Sequence, residues 1–123
     1  MIAGGSGLTP MYQIIQNLTD NNDPLKMTFI FGNMTKNDII LRSSLDDLAD
    51  KNKNLTMWYT VDKCDDSSWP YTVGFMNEGL FKEKLPPPGP DTLILLCGPP
   101  GLINFATKLL QGIGYTDDMI FTF

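Results

Sequence analysis

Ala3-Gly4-Gly5-Ser6-Gly7-Leu8-Thr9-Pro10 stands near the start of the chain, and the order of the elements follows from it. Three glycines in four positions let backbone pass where a Cβ would collide with a bulky neighbour. Thr9 suits a helix N-cap, and Pro10 suits the first helical position, where the N–H it lacks has no partner anyway. Met11, Ile14, Ile15 and Leu18 follow at helical spacing. Ahead of the turn, Met1 to Ala3 reads as the tail of a first strand, short enough that an upstream part is expected. A strand tail, a glycine turn and a capped helix make a site for an anionic ligand, because free N–H groups and the positive end of the dipole face the turn. The spacing is neither G-x-G-x-x-G nor that of a Gly-Lys-Ser/Thr phosphate loop.

The same alternation continues outward from this stretch. Met27 to Phe31 is nearly all apolar, as strands covered on both faces are. A second helix follows Ile39-Ile40-Leu41, with Ser44-Leu45-Asp46-Asp47 at capping-box spacing and Leu45, Leu48 and Ala49 on its inner face. Asp38 and Arg42, four apart, are placed to pair on the surface. Leu55 to Val61 is a third strand, ending at Asp62, and Lys63 to Gly74 is a polar loop. Asn77 caps a short helix that Pro86-Pro87-Pro88-Gly89-Pro90 stops. Thr92 to Cys97 is the most hydrophobic strand. Gly98-Pro99-Pro100-Gly101, a last helix closed by Gly112 or Gly114, and a final strand from Met119 to Phe123 complete the chain. This order predicts an α/β fold: a three-layer, open, doubly wound parallel sheet of about five strands in order 3-2-1-4-5. Strands one and four are then neighbours at the topological switch point, which sets the Gly4 to Pro10 and Gly98 to Gly101 turns side by side where ligands bind.

Composition narrows the function classes. The 123 residues suit a single domain, and a net charge of −5 without a Lys/Arg stripe disfavours nucleic acid. The longest apolar run, Leu93 to Cys97, is far too short to span a membrane, and no signal peptide is visible. Two cysteines without a CxxC, and no histidine, argue against a disulfide scaffold, a zinc site and the Ser-His and Cys-His nucleophiles. The expected chemistry is that of a bound cofactor, in a cytoplasmic protein.

Five stretches occur in one order: Ala3 to Pro10, Asp38-Ile39-Ile40-Leu41-Arg42, Trp58-Tyr59-Thr60-Val61-Asp62, Gly74-Phe75 and Cys97-Gly98-Pro99-Pro100. Together they resemble the pyridine-nucleotide domain of the NADH-cytochrome b5 reductase family, within the ferredoxin-reductase-like flavoproteins; the nitrate reductase flavin domain has the same pattern. The resemblance runs from the first residue to the last. It implies that residues 1–123 form an NADH-binding domain, with an FAD-binding barrel domain upstream in the parent protein. The implied reaction passes a hydride from NADH to FAD and electrons on to a haem protein such as cytochrome b5. The isolated domain is then expected to be inactive and to touch no membrane itself, although a missing N-terminal region would place the protein at the cytosolic face of the endoplasmic reticulum.

The resemblance also implies roles. Gly4, Gly5, Ser6, Gly7 and Thr9 would meet the pyrophosphate and nicotinamide side of the cofactor, with Ser where the family more often has Thr. Asp62 would accept from the adenosine ribose hydroxyls and repel a 2′-phosphate. Cys97 would orient the nicotinamide, and Gly98 and Pro99 would give a close, rigid backbone approach. Phe75 and Leu102 would sandwich the adenine, although Gly101-Leu102 stands where the family usually has Pro and Met. Phe123 would lie near the flavin ring. Two other readings stay open on the residues alone: a non-catalytic nucleotide-sensing or interaction module of the same fold, and a flavodoxin-like protein binding FMN. The NADH lobe of a nitrate reductase is a variant of the reductase reading.

Overall fold

Strand residues alternate between two cores, and that alternation builds the three layers. The computed structural model describes all residues from Met1 to Phe123. Its strands are β1 (Ile2–Gly4), β2 (Met27–Asn33), β3 (Leu55–Val61), β4 (Thr72–Val73), β5 (Ile94–Cys97) and β6 (Ile120–Thr122). Its helices are α1 (Leu8–Asp20), α2 (Arg42–Lys51), α3 (Glu78–Lys84) and α4 (Pro100–Ile113). Ala3, Phe29, Phe31, Met57 and Tyr59 pack with Met11 and Ile15 of α1 and Leu45 and Leu48 of α2. Ile2, Ile30, Ile94 and Leu96 pack on the other face with Leu80 and Phe81 of α3 and Ala106 and Leu110 of α4. No helix is long and apolar enough to cross a membrane.

All strand pairs are parallel, in the order β4-β3-β2-β1-β5-β6. The expected five-strand order is present within it, and the correction is a sixth strand at the edge. Thr72 and Val73 pair with Thr60 and Val61 inside the stretch read as a polar loop. Two paired residues are too few to leave an alternating pattern. What holds this edge is an aromatic cluster. Tyr71 lies edge-on to Trp58 and Tyr59, each at 5.0 Å between centroids, and to Trp69 at 5.2 Å. The Arg42 guanidinium sits over both Tyr59 (5.4 Å) and Trp69 (5.0 Å), tying the loop to α2. Tyr59 donates its hydroxyl hydrogen to Asp46 at 2.7 Å. Burial first, and that bond second, push the Tyr59 phenol well above its ordinary range, so it remains a neutral donor.

Three helix starts and pairings differ from expectation. Gly7, not Thr9, is the N-cap of α1, because Gly5–Gly7 forms a 3-10 turn that runs straight into the helix, with the Leu8 N–H bonded to Gly5 and Ser6 carbonyls. Pro10 is accommodated in that first turn, where its missing N–H costs no bond. Helix α2 starts at Arg42 with no side-chain cap, entered through Leu41 at φ 57°, so Ser44 to Asp47 is helix interior. The capping box closes the preceding 3-10 turn instead: Asp38 accepts from the Thr35 N–H (3.1 Å) and hydroxyl (2.8 Å). Asp38 is thereby occupied, and Arg42 pairs with Asp46 at 3.6 Å. Asn77 caps α3 as expected, accepting from the Leu80 N–H at 2.8 Å, and Gly114 at φ 118° closes α4.

Candidate nucleotide site

The carboxyl ends of β1, β2 and β3 and the start of α4 enclose a cavity of about 740 Å³. The switch point lies between β1 and β5, where Ala3 pairs with Cys97. There the two glycine turns touch. A Cβ on Gly7 would stand 2.3 Å from the Cys97 carbonyl oxygen and 2.9 Å from the Gly98 nitrogen, so only glycine lets the start of α1 lie on the end of β5. Gly5 takes φ 54°, the left-handed region that turns the chain from β1 into the 3-10 turn. Leu102 from α4 lodges over the seam: its Cδ2 is 2.6 Å from where a Cβ would stand on Gly4 and 3.0 Å from that of Gly98.

Six of the expected residues line the cavity: Gly4, Gly5, Asp62, Phe75, Pro99 and Leu102. Asp62 follows the last residue of β3 and donates its backbone N–H to the Asn33 carbonyl at 3.1 Å, which fixes it against the end of β2. Phe75 projects from the loop after β4 with 75% of its surface exposed. The other expected residues are not brought into this cavity. Gly7 and Gly98 form the seam behind it, and Cys97 packs with the α1–α2 core, its thiol free. Ser6 and Thr9 are exposed on the turn, where the Thr9 hydroxyl donates to the Ser6 carbonyl at 3.4 Å. Phe123 ends the chain beside β5, its N–H bonded to the Leu96 carbonyl and its ring edge-on to Phe121 at 5.1 Å. The expected set therefore divides between the cavity and the far side of the glycine turn.

Several lining residues were not singled out from the sequence. Gly32, Asn33 and Met34 end β2, Thr60 lies near the end of β3, and Phe105 is on α4 one turn past Leu102. In a parallel sheet every strand ends at the same edge, so the residues after β2 are as well placed as those after β1. Phe105 carried the other signal, three positions from Leu102 on the same helix face.

The charge pattern suits a dinucleotide. The only charged side chains on the cavity are Asp38 and Asp62, with no Lys or Arg. A diphosphate would rely on backbone amides and helix ends. The first turns of α1 and α4 carry no acidic residue, leaving the positive ends of both dipoles uncompensated. Gly101 and Leu102, whose amides belong to the first turn of α4, line the cavity. The Asn33 side-chain nitrogen is buried with no hydrogen-bond partner in the protein. Basic side chains are thus absent from the cavity, which offers the glycine turn, the start of α4, two carboxylates and apolar surface. A second cavity, about 580 Å³ at the opposite edge, has neither a glycine turn nor a helix start on it.

Comparison with known proteins agrees with this geometry. The rat NADH-cytochrome b5 reductase 2 is 48% identical across the whole chain, which spans 45% of that protein. The crystal structure of the cytochrome b5 reductase domain of Ulva prolifera nitrate reductase superposes with a TM-score of 0.93 at 35% identity, covering 100% of this chain and 47% of that one. The CS-b5R domains of human Ncb5or, in an NAD+ form, give a TM-score of 0.83 at 30% identity, covering 99% of this chain and 35% of that one. The chain thus spans less than half the length of these relatives. The family model for the oxidoreductase NAD-binding domain matches residues 1–108. With the switch-point cavity, the glycine seam and these likenesses agreeing, the chain belongs to the oxidoreductase NAD-binding domain family.

Proposed function

We propose that this chain is the NADH-binding lobe of a flavin-dependent oxidoreductase that passes electrons to a haem protein such as cytochrome b5. The observation that carries the reading is the switch-point cavity itself, on which the glycine turn, the start of α4, Asp62 and exposed apolar side chains meet. When bound, NADH would supply a hydride (two electrons and a proton, leaving NAD+), and an FAD held outside this chain would be the group able to take up that pair and release the electrons singly. The chain's own part is binding and orientation. The Gly4 to Gly7 turn and the first turn of α4 would hold the pyrophosphate, and Asp62 would accept from the adenosine ribose hydroxyls. A 2′-phosphate there would meet both Asp62 and Asp38, so NADH is preferred to NADPH. Ser6, Thr9 and Cys97, beyond the seam, would align the nicotinamide, and Phe123 would lie towards the flavin. Relatives about twice as long as this chain support an FAD-binding barrel domain elsewhere in the parent protein. The chain alone should be inactive.

Calorimetric titration with NADH and NADPH tests the reading. NADH should bind and NADPH should bind at least about tenfold more weakly, a gap of about 1.4 kcal/mol. Asp62→Ser should narrow that gap. The purified chain should be colourless. Failure to bind either nucleotide at millimolar concentration would overturn the reading, and a stoichiometric flavin would overturn its two-lobe form.

A further inference from the structure

Helix α4 presents one aromatic ring that the fold does not use. Phe105 is 46% exposed and belongs to neither core, whose α4 contributions are Ala106 and Leu110 with Leu102, Ile103, Leu109 and Ile113 at their margins. It forms no aromatic pair and no cation–π contact, unlike the Trp58, Tyr59, Trp69 and Tyr71 rings. It does line the 740 Å³ cavity. Three of the ten exposed large apolar side chains, Met34, Phe75 and Phe105, converge on that cavity from three separate segments.

Leu102 also lines the cavity, but one of its methyls is committed to the seam. Its Cδ2 fills the seam over Gly4 and Gly98, where it takes the space that side chains on those glycines would need. Withdrawing it to cover a base would open a gap between the two turns. Phe105 has no such duty. Gly101, four residues earlier and on the same face, carries no side chain to screen the ring, and a Cβ added there would meet nothing within 4 Å. We propose that Phe105 is an adenine-stacking residue, covering the base from α4 while Phe75 covers it from the loop, with Leu102 closing the seam behind. This assignment rests on the NADH reading and names which side chain grips the base.

The test is calorimetric titration of the 123-residue chain with 5′-AMP and, separately, with reduced nicotinamide mononucleotide. Phe105→Ala should weaken AMP binding by about tenfold or more, the scale of a lost base–ring stack, and leave the mononucleotide unchanged. Phe105→Leu keeps an apolar side chain without a ring and should still lose several-fold, whereas Phe105→Tyr should bind like the original. Leu93→Ala, a truncation of another exposed apolar side chain away from the cavity, should have no effect. AMP binding by folded Phe105→Ala or Phe105→Leu within about twofold of the original would overturn the assignment while leaving the NADH reading intact. If the unaltered chain binds neither AMP nor NADH, the reading of the cavity fails and the assignment fails with it.

Discussion

Gly7→Ala isolates the contact on which the whole site depends. Gly7 sits at φ −64° and ψ −4°, a conformation any residue adopts, so alanine introduces no backbone strain. The new methyl would stand 2.3 Å from the Cys97 carbonyl oxygen and 2.6 Å from its carbon, where a carbon–oxygen contact normally needs about 3.3 Å. Backbone must therefore yield by about 1 Å, and neither side is free to do so. Cys97 is in register with Ala3 on β1, and Leu8 and Met11 anchor the start of α1 in the core. Overpacking against backbone costs about 2–3 kcal/mol, which for a chain of this size lowers Tm by about 10 °C. Gly5→Ala makes the comparison, with φ 54° and no neighbour within 4 Å. Its cost is the left-handed backbone alone, about 1 kcal/mol. Gly101→Ala has neither problem and should stabilise by about 0.5 kcal/mol through helix propensity. Urea unfolding followed by circular dichroism ranks the three. Gly7→Ala unfolding within about 0.5 kcal/mol of the original would refute the close approach of the two turns, because no other term is left to carry the cost.

Other perturbations test the supports around the cavity. Tyr59→Phe removes the hydroxyl donated to Asp46 and should cost about 1 kcal/mol in urea unfolding, since Asp46 is half exposed and water replaces part of the bond. Asn77→Ala removes the cap of α3 and should cost about 1 kcal/mol by the same measurement. The Lys36–Asp66 pair at 2.7 Å ties the loop after β3 to the turn before α2. The hydrogen bond from Lys36, then those from Ser68, hold the Asp66 carboxyl well below its ordinary range, and Asp66 raises Lys36. The Asp66 contribution is present above its unfolded value near 3.8 and is lost as pH falls through the lowered folded value; that of Lys36 is present below 10.5 and is lost as pH rises through the raised one. The difference in urea midpoint between the original and Asp66→Asn should be level from about pH 5 to 9 and vanish in strong acid. In that level range it should shrink with added salt, because both side chains are about a third exposed.

The sheet was legible where a strand had to be apolar on both faces. Phe29-Ile30-Phe31 feeds both cores in consecutive residues, and only a central parallel strand asks for that. Asp62 was legible for a related reason: a residue just past a strand end is placed by the strand, whatever the loop beyond it does; Phe75, past a strand that was not read, came from the family resemblance alone. The pieces that could not be read depend on geometry at a distance. Strand β4 exists because Tyr71 and Trp69 find Tyr59 and Arg42, residues 10 to 27 positions away, and the Thr60–Thr72 and Val61–Val73 pairings follow from that docking. Thr9 has the better capping side chain, yet the 3-10 turn over Gly5–Gly7 starts the helix two residues earlier, and the carbonyl of Cys97, 90 residues on, leaves room at Gly7 for nothing larger. Leu102 and Phe105 show the limit most directly. Three apart on one helix, both apolar, they are equivalent to any periodicity argument. Both line the cavity, and what separates them is the approach of α4 to Gly4 and Gly98, which buries a methyl of Leu102 in the seam and leaves the Phe105 ring uncommitted. A glycine pair thus decides which neighbour is structural, and by doing so decides which is free to bind.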